Sequence, residues 1–90
     1  MDFEWDKSKS NTNKNKHGID FDTAKYIFLD ENRVEIIAPY PIENRFINIG
    51  KLNEKLWTVI FTIRGNTIRI ISARRSRKKE VKLYEKKDNS

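Results

Sequence analysis

Ninety residues make one domain at most, and a chain that is 37% apolar supplies one small core and no more. Nineteen Lys and Arg against 13 Asp and Glu give a formal charge of +6 and a pI near 9.7, which points to a polyanionic or acidic partner. The absence of cysteine excludes a disulfide scaffold, thiolate catalysis and a thiolate metal site, and a single histidine excludes a poly-imidazole zinc site. Apolar runs such as Val59-Ile60-Phe61 are far too short to span a bilayer. The first residues, MDFEWD, have neither the basic region nor the apolar stretch of a signal peptide, so a soluble cytoplasmic protein is expected. Residues 1–90 are expected to form a single domain with 87–90 as a frayed tail. No internal repeat or linker-like stretch divides them.

In chain order, Phe3-Glu4-Trp5 alternates like a short strand, and Asp6 then offers an N-cap. The polar run KSKSNTNKNK reads as a helix because Gly18 supplies a stop just after Lys16 and His17. Lys9, Asn13, Lys16 and His17 fall on one face of it, and that face is polar and mostly basic. A second helix starts at Asp20 or Asp22 and runs to about Phe28, with Phe21, Ala24, Ile27 and Phe28 as its buried stripe. The period turns strand-like in Val34 to Ile37, and Pro39 and Pro41 end it in a loop. Arg45 to Gly50, Leu56 to Arg64 and Thr67 to Ala73 read as three further strands. From Arg75 to Lys86 the spacing is helical, with Val81 and Tyr84 as a thin apolar seam. The expected class is α+β: an antiparallel sheet with two N-terminal helices and one C-terminal helix.

Gly65-Asn66 is a favoured two-residue hairpin connection, and a loop of that length sets the register. Arg64 then faces Thr67, Thr62 faces Arg69, Ile60 faces Ile71 and Thr58 faces Ala73. Trp57, Val59, Phe61, Ile63, Ile68 and Ile70 point to the other side, which the helices must cover. The opposite side, carrying Thr62, Arg64, Thr67 and Arg69, is the candidate working surface. Beyond it stand Arg74, Arg75, Arg77, Lys78, Lys79 and Lys82, with Glu80 the only acid between residues 64 and 82. Residues 30–44 hold four acids and one base, so charge is segregated as an electrostatic footprint on nucleic acid requires. Each feature also has a plainer explanation. A basic terminal helix can be a solvated face, and sheet arginines can pair with acids such as Glu4 or Glu54. His17 can be a cap that suits the helix dipole, and Trp5 and Trp57 can belong to the core.

In order stand Phe3-Glu4-Trp5-Asp6, then Lys9, Asn13, Lys16-His17-Gly18, Phe21, Ala24 and Phe28. Later come Ile49-Gly50, Thr62-Ile63-Arg64-Gly65, Arg69-Ile70-Ile71-Ser72-Ala73-Arg74, Glu80 and Tyr84. This pattern resembles the BrnT family of toxin ribonucleases from bacterial toxin-antitoxin pairs, over nearly the whole chain from Asp2 to about Lys86. The resemblance implies a fold related to the RelE-type endoribonucleases, RNA cleavage that blocks translation, and neutralisation by a BrnA-like antitoxin. DNA would be met only indirectly, through the antitoxin complex.

A metal-independent ribonuclease uses the substrate's 2′-hydroxyl as nucleophile, so the protein supplies a base, an acid and positive charge for the transition state. No carboxylate cluster suggests a metal pair, and no cofactor is expected, whereas arginine is always charged and can fork onto phosphate oxygens. Arg64 and Arg69 are the expected electrostatic residues. His17 is the first candidate for proton transfer, with Glu80 and Tyr84, one turn apart, as alternatives. Lys9 and Lys16 share the His17 face and can bind phosphate. Arg74 and Arg75 leave their strand on opposite faces, so one can join the site while the other fixes the helix or holds RNA, and Arg77 and Lys78 extend the RNA-binding surface. A non-catalytic nucleic-acid-binding module, or an interaction domain for an acidic protein, would use the same basic face.

Overall fold

The computed structural model describes residues 2–39, 41 and 43–88, with side chains through residue 86. The elements are β1 (Asp2–Glu4), α1 (Lys7–His17), α2 (Phe21–Ala24) continued by a 3₁₀ turn (Lys25–Leu29), β2 (Val34–Ala38), β3 (Arg45–Leu52), β4 (Lys55–Arg64), β5 (Thr67–Arg75) and α3 (Lys78–Asp88). Helix α3 thus extends two residues into the segment expected to fray.

The α1 boundaries follow the expected chemistry. Asp6 accepts a hydrogen bond from the Lys9 amide at 3.0 Å, satisfying one of the unpaired amides of the first turn. Gly18 takes a left-handed φ of 80° and returns its amide to the Lys14 carbonyl. Asp20 caps α2 in the same way through the Thr23 amide, and the buried side chains of Phe21, Ala24 and Ile27 form the expected stripe.

The five strands form one sheet in the order β1-β5-β4-β3-β2. The sheet is mixed, not antiparallel throughout, because β1 runs parallel to β5 with Phe3 opposite Ile68 and Glu4 opposite Arg69. No tight turn constrains that pair, since β1 and β5 lie at opposite ends of the sequence. Running the same way as β5 delivers the chain to α1 beside the rest of the β5 edge. There the Asn13 side chain takes over the work of a strand: its Nδ2 donates to the Ala73 carbonyl at 2.8 Å and its Oδ1 accepts from the Ala73 amide at 3.3 Å. A further bond from Nδ2 to the Ile19 carbonyl at 2.7 Å ties the α1–α2 connection to the same point. Asn13 therefore satisfies backbone groups that an uncovered sheet edge would leave unpaired.

One sheet face makes the core. Val59, Phe61, Ile68, Ile70 and Ala73 are buried against Ile19, Phe21, Ala24 and Ile27, with Phe3, Trp5, Phe28, Phe46, Leu52 and Trp57 packed around them. Gly50 lets the 3₁₀ turn come close, since a Cβ there would lie 2.7 Å from Ile27 Cγ2 and 3.0 Å from the Ile27 carbonyl oxygen.

Near the turn the β4–β5 register is as expected, with Arg64 opposite Thr67 and Thr62 opposite Arg69. A β-bulge then intervenes. Phe61 faces Ile70 but Ile60 faces Ser72, so the expected Ile60–Ile71 and Thr58–Ala73 pairs are replaced by Ile60–Ser72, Val59–Ala73 and Thr58–Arg74. One extra residue on β5 reverses the faces of everything after it. Ala73 joins the core, Arg74 turns to the Thr62 side and Arg75 turns to the core side, over the Trp57 ring at 5.5 Å.

Candidate active site

The sheet face opposite the core is shared between α3 at one end and the arginines at the other. Thr62, Arg64, Thr67 and Arg69 share this face by their register. Each arginine leans on one acid: Arg64 Nη2 lies 3.3 Å from Glu43 Oε1, and Arg69 Nη1 lies 3.4 Å from Glu4 Oε2. The arginine side chains are 55% and 29% exposed, and pairs of this kind contribute about 0–1 kcal/mol. A phosphate can therefore displace either carboxylate at little cost.

Two buried side chains lack any hydrogen-bond partner among the described residues. Asn48 lies on the core face, whereas Thr62 lies on the arginine face, 1% exposed, with its Oγ1 unpaired. An orphaned buried hydroxyl costs about 1–3 kcal/mol. Thr58, four residues before Thr62 on the same strand face, bonds both Ser76 and Glu80.

Along β5 from Arg69 the bulge residues Ile71 and Ser72 meet α1. They and Lys9, Thr12, Asn13, Lys16 and His17 line a cavity of about 230 Å³. The expected basic face of α1 thus comes together in one place, bordering the arginines through β5. Lys9 and Lys16 are exposed and His17 is half-buried. Asn13 faces the cavity but its amide is committed to Ala73 and Ile19, so it fixes the wall while the cations remain available.

The other sequence candidates are employed differently. Glu80 Oε1 accepts from Arg74 Nη1 at 2.8 Å, the Arg77 amide at 2.7 Å and Thr58 Oγ1 at 3.0 Å, while Oε2 accepts from Arg74 Nη2 at 2.9 Å. Burial works to raise its pKa, but the bonds from Arg74, the Arg77 amide and Thr58 outweigh it and hold the carboxyl at about 2. A group so acidic is a poor base at neutral pH. In turn, the bond to Glu80 raises the Arg74 pKa. Tyr84 is buried and donates its hydroxyl to Asp30 Oδ2 at 2.7 Å. Burial works against ionisation of Asp30, yet bonds from Tyr84 and from the Lys51 and Asn32 amides keep its pKa below the ordinary carboxylate value. Glu80 therefore anchors α3 to the sheet and Tyr84 anchors it to the loop before β2, and of the two strand-end arginines it is Arg74 that fixes the helix. Arg77 and Lys78 stand exposed at the start of α3.

The sequence placed Thr62 on the working face but gave it no role of its own, and it did not place Ser72 there. The hairpin register set Thr62 opposite Arg69, as the structure has it, but its lack of a partner shows only in the structure. Ser72 could not be read there, because only the bulge brings it to this face.

Among the described residues no three His, Asp or Glu side chains gather as metal ligands, and no helix is long and apolar enough to cross a membrane. A search of curated proteins returns no match. The family model described as "Ribonuclease toxin, BrnT, of type II toxin-antitoxin system" matches residues 5–80, which takes in α1, the whole sheet after β1 and the Arg74–Glu80 clasp. With most of its length covered by that match, the chain belongs to the BrnT family of ribonuclease toxins.

Proposed function

We propose that this chain is a metal-independent endoribonuclease that cleaves RNA within the cytoplasm, blocks translation, and is neutralised by a BrnA-like antitoxin. Type II systems pair a toxin with a cognate antitoxin, so a protein partner and an RNA substrate both follow from the family. DNA is contacted only through the antitoxin complex. A sheet of five strands with helices at both ends of the chain supports grouping the fold with the RelE-type endoribonucleases.

The observation that carries the reading is the meeting of Arg64 and Arg69 on one sheet face with the cavity of Lys9, Lys16 and His17 beside it. Arg64 and Arg69 leave their acids for the non-bridging oxygens of the scissile phosphate, where planar forks match the developing charge. His17 takes the proton from the 2′-hydroxyl as O2′ bonds to phosphorus. The bond from phosphorus to O5′ breaks, the departing oxygen is stabilised by Lys9 or Lys16 and protonated by solvent, and a 2′,3′-cyclic phosphate remains. Arg75, Arg77 and Lys78 hold more distant phosphates, while Arg74, Glu80 and Tyr84 keep α3 in place.

The test is to incubate purified protein with a single-stranded RNA and its DNA counterpart in excess EDTA. RNA cleaved to cyclic-phosphate or 3′-phosphate ends, with DNA intact, is the expected result. A strict magnesium requirement with 5′-phosphate ends contradicts the mechanism, and binding of both strands without cleavage identifies a non-catalytic module.

A further inference from the structure

Strand β4 carries two buried threonines on the same face, and they differ in one respect. Thr58 has both a hydroxyl and a carboxylate as partners, whereas Thr62, at the centre of the arginine face, has none. The immediate cross-strand neighbour of Thr62 is Arg69, and Arg64 follows two residues on along the same face. Directly opposed side chains on neighbouring strands have Cβ atoms about 5 Å apart, well within the reach of an arginine. In the structure the Arg69 guanidinium is drawn aside to Glu4, at the long separation of 3.4 Å.

We propose that Thr62 is a positioning residue for Arg69. This rests on the arginine-face mechanism above. When a phosphate draws Arg69 away from Glu4 and across the sheet, Thr62 Oγ1 accepts one N–H of the guanidinium and fixes the plane of the fork. The remaining N–H groups then meet the phosphate in the orientation the transition state requires. The hydroxyl that is unpaired without substrate is paired with it, so the penalty for leaving it unbonded is relieved as the reaction proceeds. Valine has the same branched shape and would fill the site equally well, which makes the hydroxyl dispensable for folding.

Five proteins and one labelled single-stranded RNA in EDTA decide the matter: the parent, Thr62→Val, Arg69→Ala, the double variant, and Thr62→Ser as the conservative rescue. Thr62→Val is expected to unfold at the parent's temperature or higher, yet to lower kcat about tenfold with KM little changed. Thr62→Ser recovers most of that loss, and in the Arg69→Ala background the valine has no further effect. Thr62→Val cleaving at the parent rate while Arg69→Ala is slow rejects the role of Thr62 alone. A valine effect as large without Arg69 as with it also rejects that role. An Arg69→Ala protein that cleaves like the parent, or a parent that leaves the RNA intact, rejects the arginine-face mechanism and the role of Thr62 with it.

Discussion

Glu80 receives four hydrogen bonds in a site only 17% exposed, and its pH behaviour follows from them. Its carboxyl is held at about 2 in the folded protein against an ordinary 4.5, so the unfolded chain takes up the proton first. The stabilisation is fully present above pH 4.5 and disappears as pH falls towards 2, and the difference amounts to roughly 3 kcal/mol. Glu80→Gln should lose about that much stability at neutral pH and flatten the acid limb of a melting-temperature profile between pH 5 and pH 2; an unchanged limb would mean that the clasp is not a stability element. A second residue works in the opposite direction. Asn53 and Glu54 join β3 to β4 with φ of 52° and 65°, a conformation that suits Asn but strains Glu. Glu54→Gly should therefore stabilise the protein by about 0.5–1 kcal/mol in denaturant unfolding. That turn, unlike Gly65-Asn66, could not be read from the sequence, because Asn-Glu is not a preferred hairpin pair.

Among the elements, the caps of α1, the α2 stripe and all five of the expected strands were legible, since each depends on local chemistry or on apolar spacing. The direction of β1 was not, because nothing near Phe3 records that its neighbour is β5. The bulge was hidden as well: Ile70-Ile71-Ser72-Ala73 has no clean alternation to show where a residue is left over. Its effect on the candidate site is large. It sends Arg74 rather than Arg75 to the face of Thr58 and Glu80, and brings Ser72 beside His17. The basic face of α1 was legible, yet the structural work of Asn13 within it was not, since its strand partner Ala73 lies 60 residues away. Where element meets element, Gly50 is decisive. Gly50→Ala would push the 3₁₀ turn off β3 and should cost about 1–3 kcal/mol by thermal or denaturant unfolding. A parent-like midpoint would show that the turn can shift without loss.

At the scale of the whole molecule, segregated charge gives one surface two uses. In the proposed mechanism Arg64, Arg69 and the start of α3 attract RNA, and an acidic segment laid over them would both neutralise the field and exclude substrate. The antitoxin is accordingly expected to bury Arg64 and Arg69. A complex in which it touches only the acidic segment from Asp30 to Glu43 would contradict this. The central claim is that Arg64 and Arg69 stabilise the transition state for RNA cleavage, and it can be tested without any partner. Neither side chain belongs to the core, so truncating one should alter stability by no more than about 0.5 kcal/mol. The direct measurement is the initial rate of single-stranded RNA cleavage in EDTA by folded Arg64→Ala and Arg69→Ala proteins beside the parent. A fall of about 10²-fold or more in each, with melting temperatures unchanged, is the predicted result, and rates equal to the parent's would place the active site elsewhere.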